Sequence, residues 1–268
     1  MKTNISNGIA TVSLNHQPIN LLSPELVNFL LETTSKLNAD QSVHLIIFKS
    51  DIPDIFSAHL DLHSINTTRE GMVGTQNFMR LIDQIKTLRP LTIGVIDGVA
   101  RGGGNELLQA MDLRIISEKG ALGQPEINTN IPTGGQGAIR MARQLGKDKA
   151  LYYLLTGQDI KGEDAAKMGM ATLFVPSSKI NALVDQIAQQ IISYGGANIS
   201  MYKDIVEKAL TNENKAIEIE RDYFVKRAGE HKTQTIIQAL LSQGAQTERE
   251  IDDLEGIFQD TIKMLKSA

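Results

Sequence analysis

The sequence contains no cysteine and no tryptophan, and aromatic residues make up only 4% of its 268 positions. Without cysteine the chain cannot form a disulfide framework, a thiolate nucleophile or a cysteine-ligated metal site. The scarcity of aromatic residues argues against a surface that stacks on nucleic-acid bases. The formal net charge is −4 and there is no block of lysines and arginines. We therefore predict no nucleic-acid partner.

Long apolar runs are also missing. The longest is far too short to span a bilayer, so we predict no membrane association. The first residues lack the apolar stretch of a secretory signal, and we expect a cytoplasmic location. Hydrophobic residues (41%) and charged residues (22%) are at ordinary globular levels. The length suits one large domain, or one domain with an appendage.

The spacing of apolar residues predicts strands and helices that alternate through the first two-thirds of the chain. The predicted strands cover residues 8–14, 43–48, 92–96 and 113–116. The predicted helices cover residues 24–37, 78–88, 180–191 and 251–265, with a loop over 51–65. This alternation is typical of the α/β class. We divide the chain into an α/β core (1–196) and a helical region (197–268), whose amphipathic faces a neighbouring subunit could cover.

A run of three glycines, Gly102–Gly104, separates the strand predicted over 92–96 from a further segment predicted to be helical, 106–111 (ELLQAM). Unpaired amide N–H groups at such a helix start can stabilise a ligand oxygen that carries negative charge. The alternative is that the glycines only allow close packing of strand and helix. The dinucleotide-binding fingerprint fails, because Leu107 stands where its third glycine should be, and no phosphate-binding G-K-[ST] follows.

Two glutamates are candidate catalytic acids. Glu106 follows the glycine run, and Glu126 follows Pro125, which restricts the backbone before it. If the two carboxyl groups face one site, one can activate a water molecule and the other can pass a proton. Each is otherwise an ordinary acid, Glu106 in a first helical turn and Glu126 on a solvated loop.

Two other kinds of site receive little support. His59, Asp61 and His63 are metal-ligand residue types, but only the two histidines share a helical face, and we predict no metal site. No G-x-S-x-G motif is present, which disfavours a serine hydrolase of that type.

Several segments together resemble the enoyl-CoA hydratase/isomerase (crotonase) superfamily, over the chain to about residue 230. The segments are 19–23 (INLLS), 56–62 (FSAHLDL), 97–107 (DGVARGGGNEL), 123–126 (GQPE), and 155–157 with 165–170 (LTG with AAKMGM). In the same order they are similar to the family patterns V-N-A-L-S, F-S-A-G-A-D-L, N-G-x-A-x-G-G-G-x-E-L, F-G-x-P-E and L-T-G…A-x-x-x-G-L-V. The shared order and spacing make the resemblance specific.

The resemblance implies a crotonase-like spiral of ββα units, with C-terminal helices that build a homotrimer or a dimer of trimers. It implies an acyl-CoA thioester substrate and no separate cofactor. The thioester oxygen would accept hydrogen bonds from the backbone N–H groups of Leu60 and Gly103. The substrate would contact Ala58, Leu60, Asp61, Leu62 and Gly103, with the adenine end of CoA along the backbone of 58–62.

In family members that carry both glutamates, the resemblance implies that Glu106 is the base for water and Glu126 supplies a proton to Cα. We therefore expect an enoyl-CoA hydratase. The alternatives are a Δ3,Δ2-enoyl-CoA isomerase or another crotonase-type reaction, such as decarboxylation or thioester hydrolysis. A third alternative is a non-catalytic crotonase-fold protein that binds CoA or acts as a scaffold.

The sequence departs from the family pattern at several positions. His59 replaces the usual glycine and Leu60 a small alanine, and Arg101 stands where a small or apolar residue is usual. The polar run 128–130 follows Glu126, and we expect it to line the site and to favour an unusual acyl group. The C-terminal sequence also differs from the family ending, so the resemblance implies no CoA contacts from that region.

Overall fold

The structure is a computed structural model that describes residues 1–65 and 68–267. The described residues form ten strands: β1 (Lys2–Ser6), β2 (Ile9–Leu14), β3 (Leu45–Ser50), β4 (Asp54–Ser57), β5 (Leu91–Ile96), β6 (Gly98–Arg101), β7 (Leu113–Ile116), β8 (Ala121–Gly123), β9 (Ile160–Lys161) and β10 (Leu173–Phe174).

The same part of the chain forms twelve α-helices: α1 (Pro24–Ala39), α2 (Arg69–Lys86), α3 (Gly103–Gln109), α4 (Gly137–Leu145), α5 (Lys147–Thr156), α6 (Gly162–Lys167), α7 (Ser177–Ser193), α8 (Gly196–Ala209), α9 (Glu213–Ala228), α10 (His231–Ser242), α11 (Arg249–Asp252) and α12 (Leu254–Ser267). Two short 3₁₀ turns, Leu62–Ser64 and Glu126–Thr129, follow β4 and β8.

The strands form two sheets. The larger sheet has the order β1-β2-β3-β5-β7-β10, and all neighbours except β1 and β2 are parallel. The smaller sheet has the order β4-β6-β8-β9, and β4, β6 and β8 are parallel to one another. From β3 to β8 successive strands thus alternate between the sheets, because β4, β6 and β8 each come directly after a strand of the larger one.

This alternation repeats a ββα unit three times. The units are β3-β4-α2, β5-β6-α3 and β7-β8-α4, and each gives one strand to each sheet before a helix returns the chain. Parallel neighbours need such a crossover connection. The predicted spiral of ββα units and the α/β class are confirmed.

The inner strands β3, β5 and β7 of the larger sheet are largely buried on both faces, as their apolar runs predict. In β3, Ile46 and Phe48 join the cluster that includes Phe56 of the smaller sheet. The alternate residues Leu45 and Ile47 join a second cluster that includes side chains of α7. Each fully buried aliphatic or aromatic side chain contributes about 1.5–3 kcal/mol, so these two clusters hold the sheet in place.

Several predicted elements are confirmed. α1 begins as its sequence indicates, since Ser23 Oγ accepts a hydrogen bond from the Leu26 N–H at 3.3 Å and Pro24 occupies the first helical position. The strand predicted over 113–116 is β7. The strands predicted near 43–48 and 92–96 are β3 and β5, with ends shifted by one or two residues.

Other predictions were wrong. The loop expected over 51–65 contains β4, whose four residues are too few to show an alternating pattern. The helix expected from residue 78 begins at Arg69, because its first turns carry exposed apolar side chains and glycines that hide the helical period. The last predicted helix is interrupted at Asp253, between α11 and α12.

The chain consists of two compact units, Met1–Ser200 and Met201–Ala268. Both sheets and both apolar clusters lie in the first unit. The second is helical, as the sequence indicates; within it Arg249 forms ion pairs with Asp253 and Asp260 at 3.0 and 2.8 Å. Over residues 1–65 and 68–267, none of the helices has the length and apolar character that crossing a bilayer requires.

Candidate active site

The sequence-predicted site residues follow three neighbouring strands of the smaller sheet. Residues 58–62 follow β4, the run Gly102–Gly104 follows β6, and Glu126 comes shortly after β8. These strands are parallel neighbours, so their carboxyl ends lie at one edge of the sheet. The topology therefore brings three distant segments of sequence to one place.

A buried asparagine holds the segment after β4. Asn20, which is fully buried and has φ 47°, donates its side-chain N–H to the Phe56 carbonyl at 2.9 Å. Ser57 Oγ donates in return to the Asn20 carbonyl at 2.8 Å, and the Ala58 N–H donates to the Ile19 carbonyl. Sequence reasoning assigned no role to Asn20, although it lies in one of the family-like segments.

The backbone around Leu60 is oriented by Leu22. The Leu22 N–H donates to the His59 carbonyl at 3.1 Å, and the Asp61 N–H donates to the Leu22 carbonyl at 3.2 Å. Leu22 and Leu60 thus form an isolated parallel bridge. In this pattern the N–H and carbonyl of Leu60 itself both point away from Leu22.

The Leu60 amide lies beside the start of α3. The Gly104 N–H donates to the Ala58 carbonyl at 3.1 Å, which fixes the helix start against this segment. A Cβ atom on Gly103 would lie only 3.2 Å from the Leu60 nitrogen. Among the described residues, neither the Leu60 N–H nor the Gly103 N–H has a hydrogen-bond acceptor. The two amides predicted to hold a substrate oxygen are therefore adjacent and available.

Apolar side chains form the wall of the site beside these two amides. A Cβ on Gly103 would also meet Leu22 Cδ1 at 3.0 Å and Phe78 Cζ at 3.1 Å. Phe78 is 1% exposed and reaches from Gly103 to Gly135. Such an apolar wall excludes water and strengthens hydrogen bonds to a developing charge.

Glu106 is buried on the first turn of α3, with only 2% of its surface exposed. Its Oε1 accepts hydrogen bonds from the backbone N–H groups of Gly135 at 2.6 Å and Gly137 at 2.8 Å. A Cβ on Gly135 would lie 2.9 Å from Oε2 of the same carboxyl group. The glycine-rich segment before α4 is therefore shaped around this side chain. Sequence reasoning missed this role, and the glycine run at 134–137 was the available signal.

Burial raises the pKa of Glu106 to about 7. The Gly137 N–H opposes that rise, the negative charge of Glu126 adds to it, and the Gly135 N–H and the charge of Arg140 oppose it. The carboxyl groups of Glu106 and Glu126 thus lie close enough to interact electrostatically. A pKa near 7 lets Glu106 gain or lose a proton readily at neutral pH.

Glu126 is half-buried at the start of a 3₁₀ turn, and burial raises the pKa of its carboxyl group as well. Its Oε1 lies 3.2 Å from the position that a Cβ on Gly102 would occupy. Its buried Oε2 has no hydrogen-bond partner within the described part of the chain. Glu126 therefore faces the glycine run with one oxygen atom available.

The polar residues that follow Glu126 have a structural role. The Asn128 side chain donates to the Pro125 carbonyl at 3.1 Å, and Thr129 Oγ1 donates to the Glu126 carbonyl at 2.9 Å. Asn130 ends the turn with φ 57°. All three are exposed. Their polar groups stabilise the turn that carries Glu126, and the expectation that they line the site stays a prediction.

The other residues predicted for the site take part mainly through backbone groups or local hydrogen bonds. Both backbone groups of Ala58 already form hydrogen bonds, the Asp61 carboxylate accepts from the His63 N–H at 3.0 Å, and Leu62 is 51% exposed. His59 Nδ1 lies 2.9 Å from the Leu60 carbonyl oxygen. Over residues 1–65 and 68–267, no group of three or more His, Cys, Asp or Glu side chains could hold a metal ion.

Taken together, the site combines two adjacent backbone donors with two carboxyl groups of raised pKa. The donors can stabilise negative charge on a carbonyl oxygen, and the carboxyl groups can move protons at nearby carbon atoms.

The sequence matches known proteins over most of its length. Residues 4–246 match the family model for enoyl-CoA hydratase/isomerase. A protein named probable enoyl-CoA hydratase 2, mitochondrial, from Arabidopsis thaliana is 30% identical over 225 residues, which are 82% of this chain and 74% of that protein. The short-chain-enoyl-CoA hydratase of Clostridium acetobutylicum is 25% identical over 209 residues, 75% of this chain and 78% of that protein.

Solved structures show the same fold. The enoyl-CoA hydratase from Bacillus anthracis superposes with a TM-score of 0.83 at 23% identity, over 90% of this chain and 96% of that one. Human enoyl Coenzyme A hydratase domain-containing protein 3 gives the same TM-score at 21% identity, over 90% and 97%. With the match over residues 4–246, these findings show that the chain belongs to the enoyl-CoA hydratase/isomerase family and has the crotonase fold.

Proposed function

We propose that the protein hydrates a 2-enoyl-CoA thioester, adding water across its 2,3 double bond. The observation that carries the proposal is a pair of carboxyl groups with raised pKa, Glu106 and Glu126, beside two available backbone amides; the negative charge of Glu126 contributes to the raised pKa of Glu106. The enoyl-CoA hydratase names of the relatives support it.

In this proposal the thioester oxygen accepts hydrogen bonds from the N–H groups of Leu60 and Gly103. Addition of water at Cβ shifts negative charge onto that oxygen and gives an enolate-like state. Two fixed donors stabilise this state more than the neutral thioester, by on the order of a few kcal/mol each.

The two glutamates divide the proton transfers. Ionised Glu106 takes one proton from the water molecule whose oxygen bonds to Cβ, and protonated Glu126 gives its proton to Cα. The 2,3 double bond is thereby converted into a C–OH and a C–H bond. Transfer of a proton from Glu106 back to Glu126, directly or through solvent, restores the starting state, so the net change is the addition of one water molecule.

Isomerisation of a 3-enoyl-CoA to the 2-enoyl-CoA is the second candidate. It needs one carboxyl group that carries a proton between two carbon atoms. The available Oε2 of Glu126 supports this reaction, whereas Glu106 Oε1 is occupied by two backbone donors. The variants Glu106→Gln and Glu126→Gln, described below, separate the two reactions.

The CoA portion is proposed to lie along residues 58–62, as the resemblance implies, and no cofactor besides the substrate's own CoA is required. The cytoplasmic location expected from the sequence stays a prediction, and the names of several relatives include the word mitochondrial.

We also propose that copies of the chain associate, as a homotrimer or a dimer of trimers. Large apolar side chains are strongly exposed in the 201–268 unit, including Leu210 at 76%, Phe224 at 74% and Ile251 at 84%. Single exposed apolar residues are ordinary, but several in one small helical unit favour a covered face. We expect light scattering to give three or six times the monomer mass of 29.4 kDa, and a monomeric mass would contradict this proposal.

We expect Glu106→Gln and Glu126→Gln each to lower kcat for crotonyl-CoA hydration by about a hundredfold or more, because each removes a proton-transfer group. The measurement is loss of the enoyl absorbance, with exposed Glu163→Gln as the matched control. Hydration that survives both substitutions would overturn the assignment.

Isomerisation of 3-hexenoyl-CoA that survives Glu106→Gln but not Glu126→Gln points to the isomerase. Binding of CoA without turnover of any acyl-CoA points to a non-catalytic protein.

The raised pKa of Glu106 makes stability depend on pH. Folding takes up a proton between the ordinary value of 4.5 and the folded-state value of about 7, so the free energy of unfolding falls as pH rises through that window. The fall is on the order of 3 kcal/mol and is absent from Glu106→Gln. We expect the Tm of the wild type to drop more than that of the variant between pH 5 and pH 8. Parallel Tm curves would show that burial does not raise this pKa.

The position of Glu106 depends on the absence of a side chain at Gly135. An alanine methyl group there would meet Glu106 Oε2 and Phe78 Cε1, both at 2.9 Å. At Gly134 the nearest atom, Met79 Cε, is 3.8 Å away, and neither glycine lies in the left-handed region. We expect Gly135→Ala to lower kcat/KM for hydration about tenfold or more, and Gly134→Ala to change it by about twofold at most. Equal effects of the two variants would contradict this account.

A further inference from the structure

His59 has a defined contact that the proposed chemistry leaves unused. Its ring Nδ1 lies 2.9 Å from the carbonyl oxygen of Leu60. A carbonyl oxygen only accepts hydrogen bonds, so Nδ1 carries a proton and donates it. The family-like pattern has glycine at this position, and glycine offers no such donor.

The bond acts on the residue that carries one of the two available amides. Because Leu22 takes the hydrogen bonds on either side of Leu60, the N–H and the carbonyl of Leu60 face the same side. The imidazole is the only hydrogen-bond donor to the Leu60 carbonyl in the part of the chain that the structure describes. The two hydrogen bonds with Leu22 hold the peptide groups on either side of Leu60, and a donor on the Leu60 carbonyl adds a third restraint that limits rotation of this residue.

The imidazole also stands within the site. A Cβ on Gly102 would lie 3.1 Å from His59 Cβ and 3.2 Å from Glu126 Oε1, so both side chains pack over that glycine. Gly102 has φ 51°, a conformation that glycine adopts without strain. His59 is half-buried. The His59 side chain therefore begins beside the same glycine that Glu126 Oε1 faces, and its ring Nδ1 reaches the Leu60 carbonyl.

We propose that His59 is a positioning residue of the oxyanion site: its Nδ1–H holds Leu60 so that the Leu60 N–H faces the thioester oxygen. The inference rests on the proposed acyl-CoA chemistry and adds a residue to it. His59 does not touch the reacting carbon atoms in this assignment. It acts by keeping a backbone donor aligned, and misalignment of such a donor costs rate rather than binding.

Three substitutions separate the two ring nitrogens. In His59→Asn the side-chain amide N–H can occupy the place of Nδ1–H and keep the bond to the Leu60 carbonyl. In His59→Gln the amide reaches toward the place of Nε2, and His59→Ala removes both groups. We expect His59→Ala and His59→Gln to lower kcat for crotonyl-CoA hydration about tenfold with KM nearly unchanged, and His59→Asn to recover it to within about threefold of wild type.

Polarisation of a bound thioester gives a readout that does not depend on turnover. Butyryl-CoA with a 13C-labelled carbonyl is saturated and cannot be hydrated, so its infrared carbonyl band reports hydrogen bonding alone. We expect the band to move to lower wavenumber on binding to the wild type and to His59→Asn, and to move less on binding to His59→Ala. Thermal melting of each variant checks that the fold is intact.

The outcomes are distinct. If the wild type neither binds butyryl-CoA nor shifts its band, the proposed function fails. If the wild type shifts the band and His59→Ala shifts it equally, only the assignment of His59 is overturned. Recovery of kcat by His59→Gln rather than His59→Asn also overturns it, because the Nε2 end would then be the active group.

Discussion

The site depends on a carboxyl group buried at the start of a helix and stabilised by the backbone of a distant loop. Glu106 is accommodated in the interior because two amide N–H groups, of Gly135 and Gly137, share one of its oxygens. The loop comes this close only because both residues lack a Cβ. Burial and the nearby charge of Glu126 still outweigh the two donors, so the pKa of Glu106 settles near neutrality. The two glycines therefore matter for proton transfer, because they allow the loop to pack against Glu106.

The ββα repeat explains why the other parts of the site meet there. Each repeat ends a strand of the smaller sheet at the same edge, and the chain that leaves each end contributes one or two residues of the site. The first supplies Leu60, the second Gly103 and Glu106, and the third Glu126. Because the strands are parallel neighbours, the components are a few strand spacings apart even though the sequence separates them widely. The architecture therefore brings part of the site from every repeat, and the chemistry depends on which residues occupy those positions.

Departures from the family pattern have different consequences once they are placed in space. The polar run after Glu126 suggests a changed substrate pocket, yet its side chains bond to the turn that carries Glu126. Arg101 pairs with Asp159 through two hydrogen bonds, of 2.9 and 2.6 Å. His59, by contrast, donates to the residue with an available amide. The polarity of a residue does not distinguish these three cases, because it does not show which group the side chain bonds to.

The sequence by itself determined the α/β alternation, the capped start of α1, the buried strands and the candidate glutamates Glu106 and Glu126, and the resemblance of its motifs to the family added Leu60 and Gly103 as candidates. Those features are local: apolar period, capping chemistry and motif order are properties of neighbouring residues. Only the tertiary structure decided that the two amides are adjacent, that the two carboxyl groups interact, and that Asn20 and Gly135 hold the parts in place. It also decided the short strands β4, β6 and β8, which have too few residues for a pattern and exist because they pair with one another. A contact between distant segments depends on how the whole chain packs, and the pattern of neighbouring residues does not predict it.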